Sequence, residues 1–69
     1  MRLIMEKNRY LLAREQCGEK LAKAADSLNI DEKTLAEFER GSAQPDALLV
    51  AKMAQLYHKT CDWLIGLED

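Results

Sequence analysis

One span, Gly18 to Pro45 (GEKLAKAADSLNIDEKTLAEFERGSAQP), constrains this chain more than any other. In its first half Leu21, Ala24, Ala25 and Leu28 recur at three- and four-residue spacing, the inner stripe of a helix over about 20–28. The alanines are small enough to let another helix approach closely. Asn29 tolerates left-handed backbone geometry and stands where a tight turn needs it, with Ile30 expected to plug the inner side of that turn. Asp31 is a good helix-capping residue, and a second helix follows over about 32–40, with Leu35 and Phe38 pointing inward and Glu39 beside them. Gly18 and Gly41 are natural stops at either end.

The rest of the chain reads as the walls around this pair. A helix over about 5–17 precedes it, with Tyr10, Ala13, Arg14 and Cys17 on one stripe. Arg14 interrupts that apolar stripe as Glu39 interrupts its own. A buried arginine needs an acidic partner, so the two are expected to pair. Leu11 and Leu12 lie off the stripe, with Leu3, Ile4 and Met5 upstream. They either cover the edge of the bundle or form a self-association surface. After the Ser42–Pro45 turn, Asp46 caps a helix over 47–57 with the stripe Leu49, Met53, Leu56 and Tyr57. It ends at His58, where Gly or Asn is usual, so either backbone strain or fraying is expected there. Thr60 then caps a short helix over 61–65 carrying Trp63 and Leu64, which are assigned to packing, and Gly66 closes it. Three Gly and one Pro in 69 residues are too few for a sheet protein built on many turns, and 48% apolar residues support a packed core. The fold class is all-α, a single domain forming a compact five-helix bundle.

Several functions lose support at this level. Cys17 and Cys61 are isolated, with neither a CxxC nor a His at ligand spacing, so no metal or other cofactor is expected and two free thiols fit a reducing cytoplasm. No nucleophile–base pair or phosphate loop suggests an enzyme. No apolar run approaches the roughly 20 residues of a membrane span, and the start MRLIMEK is too short and too soon charged for a secretory signal. Net charge is −2, unusual for a domain that binds a polyanion unaided. The charge is uneven, however. Residues 1–23 hold six Lys/Arg against three Glu, and residues 24–69 hold four against nine acidic residues. Phosphate contacts, if the chain makes them, lean on the N-terminal third.

Arg14, the Ala25–Leu28–Asn29 turn, the segment from Thr34 to Gly41, Pro45, and Asp62-Trp63-Leu64-Ile65-Gly66 occur here in a characteristic order and spacing. In these the chain resembles the helix-turn-helix family of phage repressors, Cro proteins and Xre-type transcriptional regulators, from about Asn8 to Gly66. The resemblance implies that helix 32–40 lies in the major groove with residues near its start at base edges. Carried over position by position, the base-facing set is Glu32, Lys33, Ala36 and Glu37. The backbone-contacting set is Lys20, Lys23, Thr34, Arg40, Ser42 and Gln44. The family also pairs an Arg at the position of Arg14 with a Glu at that of Glu39.

The chain departs from the family where it carries Leu21, since many members have Gln there to bond a phosphate. Helix 32–40 is also acidic, with Glu32, Glu37 and Glu39 against Lys33 and Arg40. A glutamate can accept a hydrogen bond from cytosine N4, so an acidic reader is chemically sound. Plainer roles compete at single positions: Glu32 as partner of the helix dipole, Lys33 as a solvated charge, Arg40 as a C-terminal dipole partner. The expected function is a sequence-specific DNA-binding regulator in the cytoplasm, a homodimer on double-stranded DNA. The alternative is a protein-interaction module on the same fold with DNA binding weak or lost, held by a protein partner.

Overall fold

In the computed structural model, residues 8–68 are described. The expected first turn of the first helix at 5–7, and the apolar surface expected of Leu3, Ile4 and Met5, lie outside them. Five helices follow in order: α1 (Arg9–Cys17), α2 (Leu21–Leu28), α3 (Glu32–Arg40), α4 (Ala47–Tyr57) and α5 (Cys61–Leu64). No strand occurs among the described residues. The core draws Tyr10 and Ala13 from α1, Ala24, Ala25 and Leu28 from α2, and Leu35 and Phe38 from α3. Val50, Met53, Ala54 and Tyr57 join them from α4, and Leu64 from α5.

One backbone device ends four of the five helices. After each of α1 to α4 a residue takes left-handed geometry: Gly18, Asn29, Gly41 and His58. The next residue then donates its N–H five positions back: Glu19 to Arg14, Ile30 to Ala25, Ser42 to Glu37 and Lys59 to Ala54. These bonds satisfy carbonyls that a helix end leaves unpaired. Asn29 and His58 hold φ of 60° without glycine's freedom. Asparagine adopts this geometry readily, and histidine is enriched there as well, though both carry the Cβ crowding that glycine escapes.

The helix starts correct the sequence reading in several places. Asn8 is extended and caps α1: its Oδ1 accepts from the Leu11 N–H at 3.0 Å, so the helix begins at Arg9. The Asn8 Nδ2 also donates to the Phe38 carbonyl at 2.7 Å, tying the start of α1 to the end of α3. Lys20 is extended, so α2 begins at Leu21. Asp31 precedes α3 but its side chain makes no capping bond. Asp46 and Thr60 do cap, accepting from Leu49 N–H at 2.9 Å and Trp63 N–H at 3.0 Å. α5 ends at Leu64, and Ile65 is exposed. In α4 the deepest stripe is Val50, Met53, Ala54 and Tyr57, with Leu49 and Leu56 only partly covered. An apolar helix such as ALLVAKMAQLY offers more than one stripe, and packing against α1, α2 and α5 selected among them. Trp63 is half-buried and packs against the core, with Arg9 and Lys59 each 4.5 Å from the centre of its ring. The Arg9 guanidinium also donates to the Trp63 carbonyl at 3.1 Å, fastening α5 to α1.

Tyr57 sits in this core 2% exposed, and its hydroxyl has no hydrogen-bond partner among the described residues. Burial first, and the nearby Glu39 charge second, push its pKa up to about 12. Unfolded, the phenol ionises near its ordinary value of about 10, so its contribution is intact below pH 10 and is lost as pH rises from 10 to 12. That loss amounts to about 2–3 kcal/mol. Tyr57→Phe removes an unpartnered buried polar group, so it is expected to be at least as stable as the parent at pH 7. It should also unfold less readily at pH 11. Urea titrations of both proteins at the two pH values check this, and an unchanged alkaline slope would contradict it.

Candidate nucleic-acid interface

The site is assembled from the inside. Arg14 and Glu39 meet in a two-pronged ion pair, Nε to Oε2 at 2.7 Å and Nη2 to Oε1 at 3.0 Å. Their side chains are 14% and 7% exposed. The remaining prong, Nη1, donates to the Glu19 carbonyl at 2.9 Å in the α1–α2 connection. The Glu39 hydrogen bond, larger than the opposing effect of burial, raises the Arg14 pKa, so the guanidinium stays charged. One side chain thus joins α1, α3 and the loop that launches α2. It fixes how the α2–α3 unit is presented.

Within that unit, Ala24 and Ala25 are 0% and 1% exposed, and their small side chains let α3 cross α2 closely. Ile30 is half-buried against the core at the turn. Leu35, Phe38 and Glu39 anchor the inner side of α3. Residues two positions from Glu39 lie about 200° around the helix axis, so Glu37 faces outward. Glu32, Lys33 and Arg40 are exposed, while Thr34, Ala36 and Glu37 are half-buried. Lys33, Ala36, Glu37 and Arg40 form one continuous outward stripe at three- and four-residue spacing.

At the start of α2, Lys20 and Lys23 are both exposed. No side chain caps this helix, and the N–H groups of its first turn point out of the helix end, where the dipole is positive. Leu21 packs against the core and cannot donate the amide bond that a glutamine would. The backbone N–H groups at the same helix end, flanked by two lysines, supply comparable chemistry for a phosphate.

Ser42 is exposed, and both its N–H, at 3.0 Å, and its hydroxyl, at 3.3 Å, donate to the Glu37 carbonyl. The hydroxyl is a rotor that can turn to another acceptor. Gln44 is exposed, and its amide makes no hydrogen bond with the described residues. Lys20, Lys23, Lys33 and Arg40 form no ion pair with described residues and are available to an external anion. Asn8 was overlooked in the sequence reading. An asparagine just before an apolar-periodic run is a capping signal, but its grip on Phe38 depends on the tertiary fold.

Residues 12–64 match the sequence profile of the family described as Helix-turn-helix. The chain belongs to the helix-turn-helix family. The segment from α1 to α5 is therefore the family's unit, in agreement with the resemblance to phage repressors, Cro proteins and Xre-type regulators. The chain is similar to a Bacillus subtilis (strain 168) protein described as HTH-type transcriptional regulator ImmR, at 33% identity over 57 residues. The match covers 83% of this chain and 45% of that protein, so the chain spans about half the length of the curated relative it matches. No solved structure matches. Among the described residues, no helix is long and apolar enough to cross a membrane, and no group of three His, Cys, Asp or Glu could hold a metal ion.

Proposed function

We propose that this helix-turn-helix chain is a sequence-specific DNA-binding transcriptional regulator, not an enzyme, which reads the major groove with α3. The observation that carries the reading is the outward stripe of α3 beside the uncapped, lysine-flanked start of α2. Docking α3 in the groove sets Glu32, Lys33, Ala36 and Glu37 toward base edges. It sets Lys20, Lys23, Thr34, Arg40 and Gln44 toward the sugar-phosphate backbone. The similarity to a named transcriptional regulator supports the same reading. The cytoplasm is its expected compartment.

A homodimer belongs to this proposal, because two copies of α3 about 34 Å apart can read the two halves of a palindrome. Leu11 and Leu12, expected either to cover the edge of the bundle or to form a self-association surface, are both half-buried. Among the described residues the exposed large apolar side chains are Leu48 at 68%, Ile65 at 51% and Leu67 at 74%, on α4 and just after α5. They are the better basis for a dimer contact.

The test is a titration of the protein onto duplex DNA from upstream of its own coding sequence, across a salt series. Specific binding should weaken linearly on log–log axes as salt rises. Absence of duplex binding at low salt, with capture of a protein partner instead, would replace this reading with that of an interaction module. In the same experiment Ile65→Glu should abolish two-site occupancy and halve the mass seen by light scattering. An unchanged dimer would remove the α4–α5 face from the proposal.

A further inference from the structure

We infer that α3 requires a cytosine in its half-site, read by the Glu37 carboxylate, with a guanine one or two base pairs away read by Lys33. This deepens the proposal above and rests on it.

Three observations converge. First, Glu37 is the outward carboxylate whose backbone is held most firmly. Its carbonyl accepts both the Ser42 N–H and the Ser42 hydroxyl, locking the last turn of α3 and the start of the following loop. Glu39, two residues on, is pinned by Arg14 at 2.7 Å and 3.0 Å. A backbone fixed from both sides places the Cβ of Glu37 at a defined position against a base edge, so only its own side-chain torsions remain to be ordered. Glu32 at the free first turn of α3 lacks that support.

Second, the chemistry of the stripe is narrow. An ionised carboxylate only accepts hydrogen bonds, and in the major groove the donors are cytosine N4 and adenine N6. Adenine sets its N7 acceptor beside N6, and a carboxylate meets N7 with repulsion. Cytosine presents its amino group beside a C–H, so it is the base a glutamate accepts. Lys33 only donates and suits the paired acceptors O6 and N7 of guanine. Ala36, between them, is small enough for the helix to approach.

Third, the spacing matches. Lys33 and Glu37 are four residues apart on one face, about 6 Å along the helix, against about 3.4 Å per base-pair step. Neither forms an ion pair with a described residue, so neither is diverted from an external partner.

The experiment is enrichment from a pool of random duplexes, run with wild type, Glu37→Gln and Glu37→Ala. Wild type should enrich a duplex with one position strongly cytosine, preferred roughly 5- to 150-fold over other bases. Glutamine donates and accepts, so Glu37→Gln should move that position to adenine and leave the others unchanged. Glu37→Ala should relax it alone. Enrichment with identical preferences in all three proteins would overturn the inference while leaving DNA binding intact. Failure of wild type to enrich any duplex would overturn the proposed function, and this inference with it.

Discussion

Replacing Glu39 with alanine should be among the most damaging single changes to this fold, lowering stability by about 3 kcal/mol and the thermal midpoint by at least about 12 °C. The reason is asymmetric. The pair itself contributes modestly, since both ions were withdrawn from water to form it. Removing one partner leaves the Arg14 guanidinium, 14% exposed, without its two-pronged carboxylate partner and still bonded to the Glu19 carbonyl. The residual exposure places the effect at the lower end of the usual range of about 3–5 kcal/mol for breaking buried pairs. Arg14→Met should behave similarly, stranding Glu39. The double variant Arg14→Met with Glu39→Leu should lose much less than the sum of the two, because apolar groups can replace a buried pair at little cost. Thermal unfolding of the three proteins decides this. Single variants within about 0.5 kcal/mol of wild type would mean that the pair does not anchor α3 to α1.

The largest expected effect on DNA binding is that of Lys20→Ala combined with Lys23→Ala. Each phosphate contact contributes about 0.9 to the slope of log affinity against log salt, which at roughly 0.1 M salt is about 0.9 decade of affinity. Two contacts are therefore worth about 60-fold per protomer, and the slope should fall by about 1.8 in magnitude. On a two-fold operator the loss applies twice. Base preference should be unaffected, because phosphate contacts carry no sequence information. Both lysines are exposed and without ion-pair partners among the described residues, so thermal stability should hardly change. A double variant with the wild-type salt slope would remove the start of α2 from the interface. The loss would then have to be sought at Arg40 and Gln44.

These two predictions draw on different kinds of legibility. Arg14 and Glu39 were visible in the sequence because each breaks an apolar stripe, and buried charge demands a partner. That Arg14 also holds the Glu19 carbonyl was not visible, since no side-chain pattern announces a backbone acceptor. Asn29 and Gly41 could be read as turn residues from their intrinsic tolerance of left-handed geometry. Asp31 misled: its type suits a cap, yet its carboxylate makes no capping bond in the fold. The bonds from Ser42 to the Glu37 carbonyl were not legible either, because a serine in a loop carries no sign of the helix end it meets.

The sequence by itself determined the all-α class, the α2–α3 pair and the residue types available on its outer face. Those follow from local periodicity and from backbone preferences that each residue carries wherever it sits. Only the tertiary structure decided which stripe of α4 became core and which donors remained free for a phosphate. It also decided that, among the described residues, the large exposed apolar side chains lie on α4 and beyond α5. Burial and hydrogen-bond occupancy are properties of neighbours far apart in the chain, and a local pattern cannot count them.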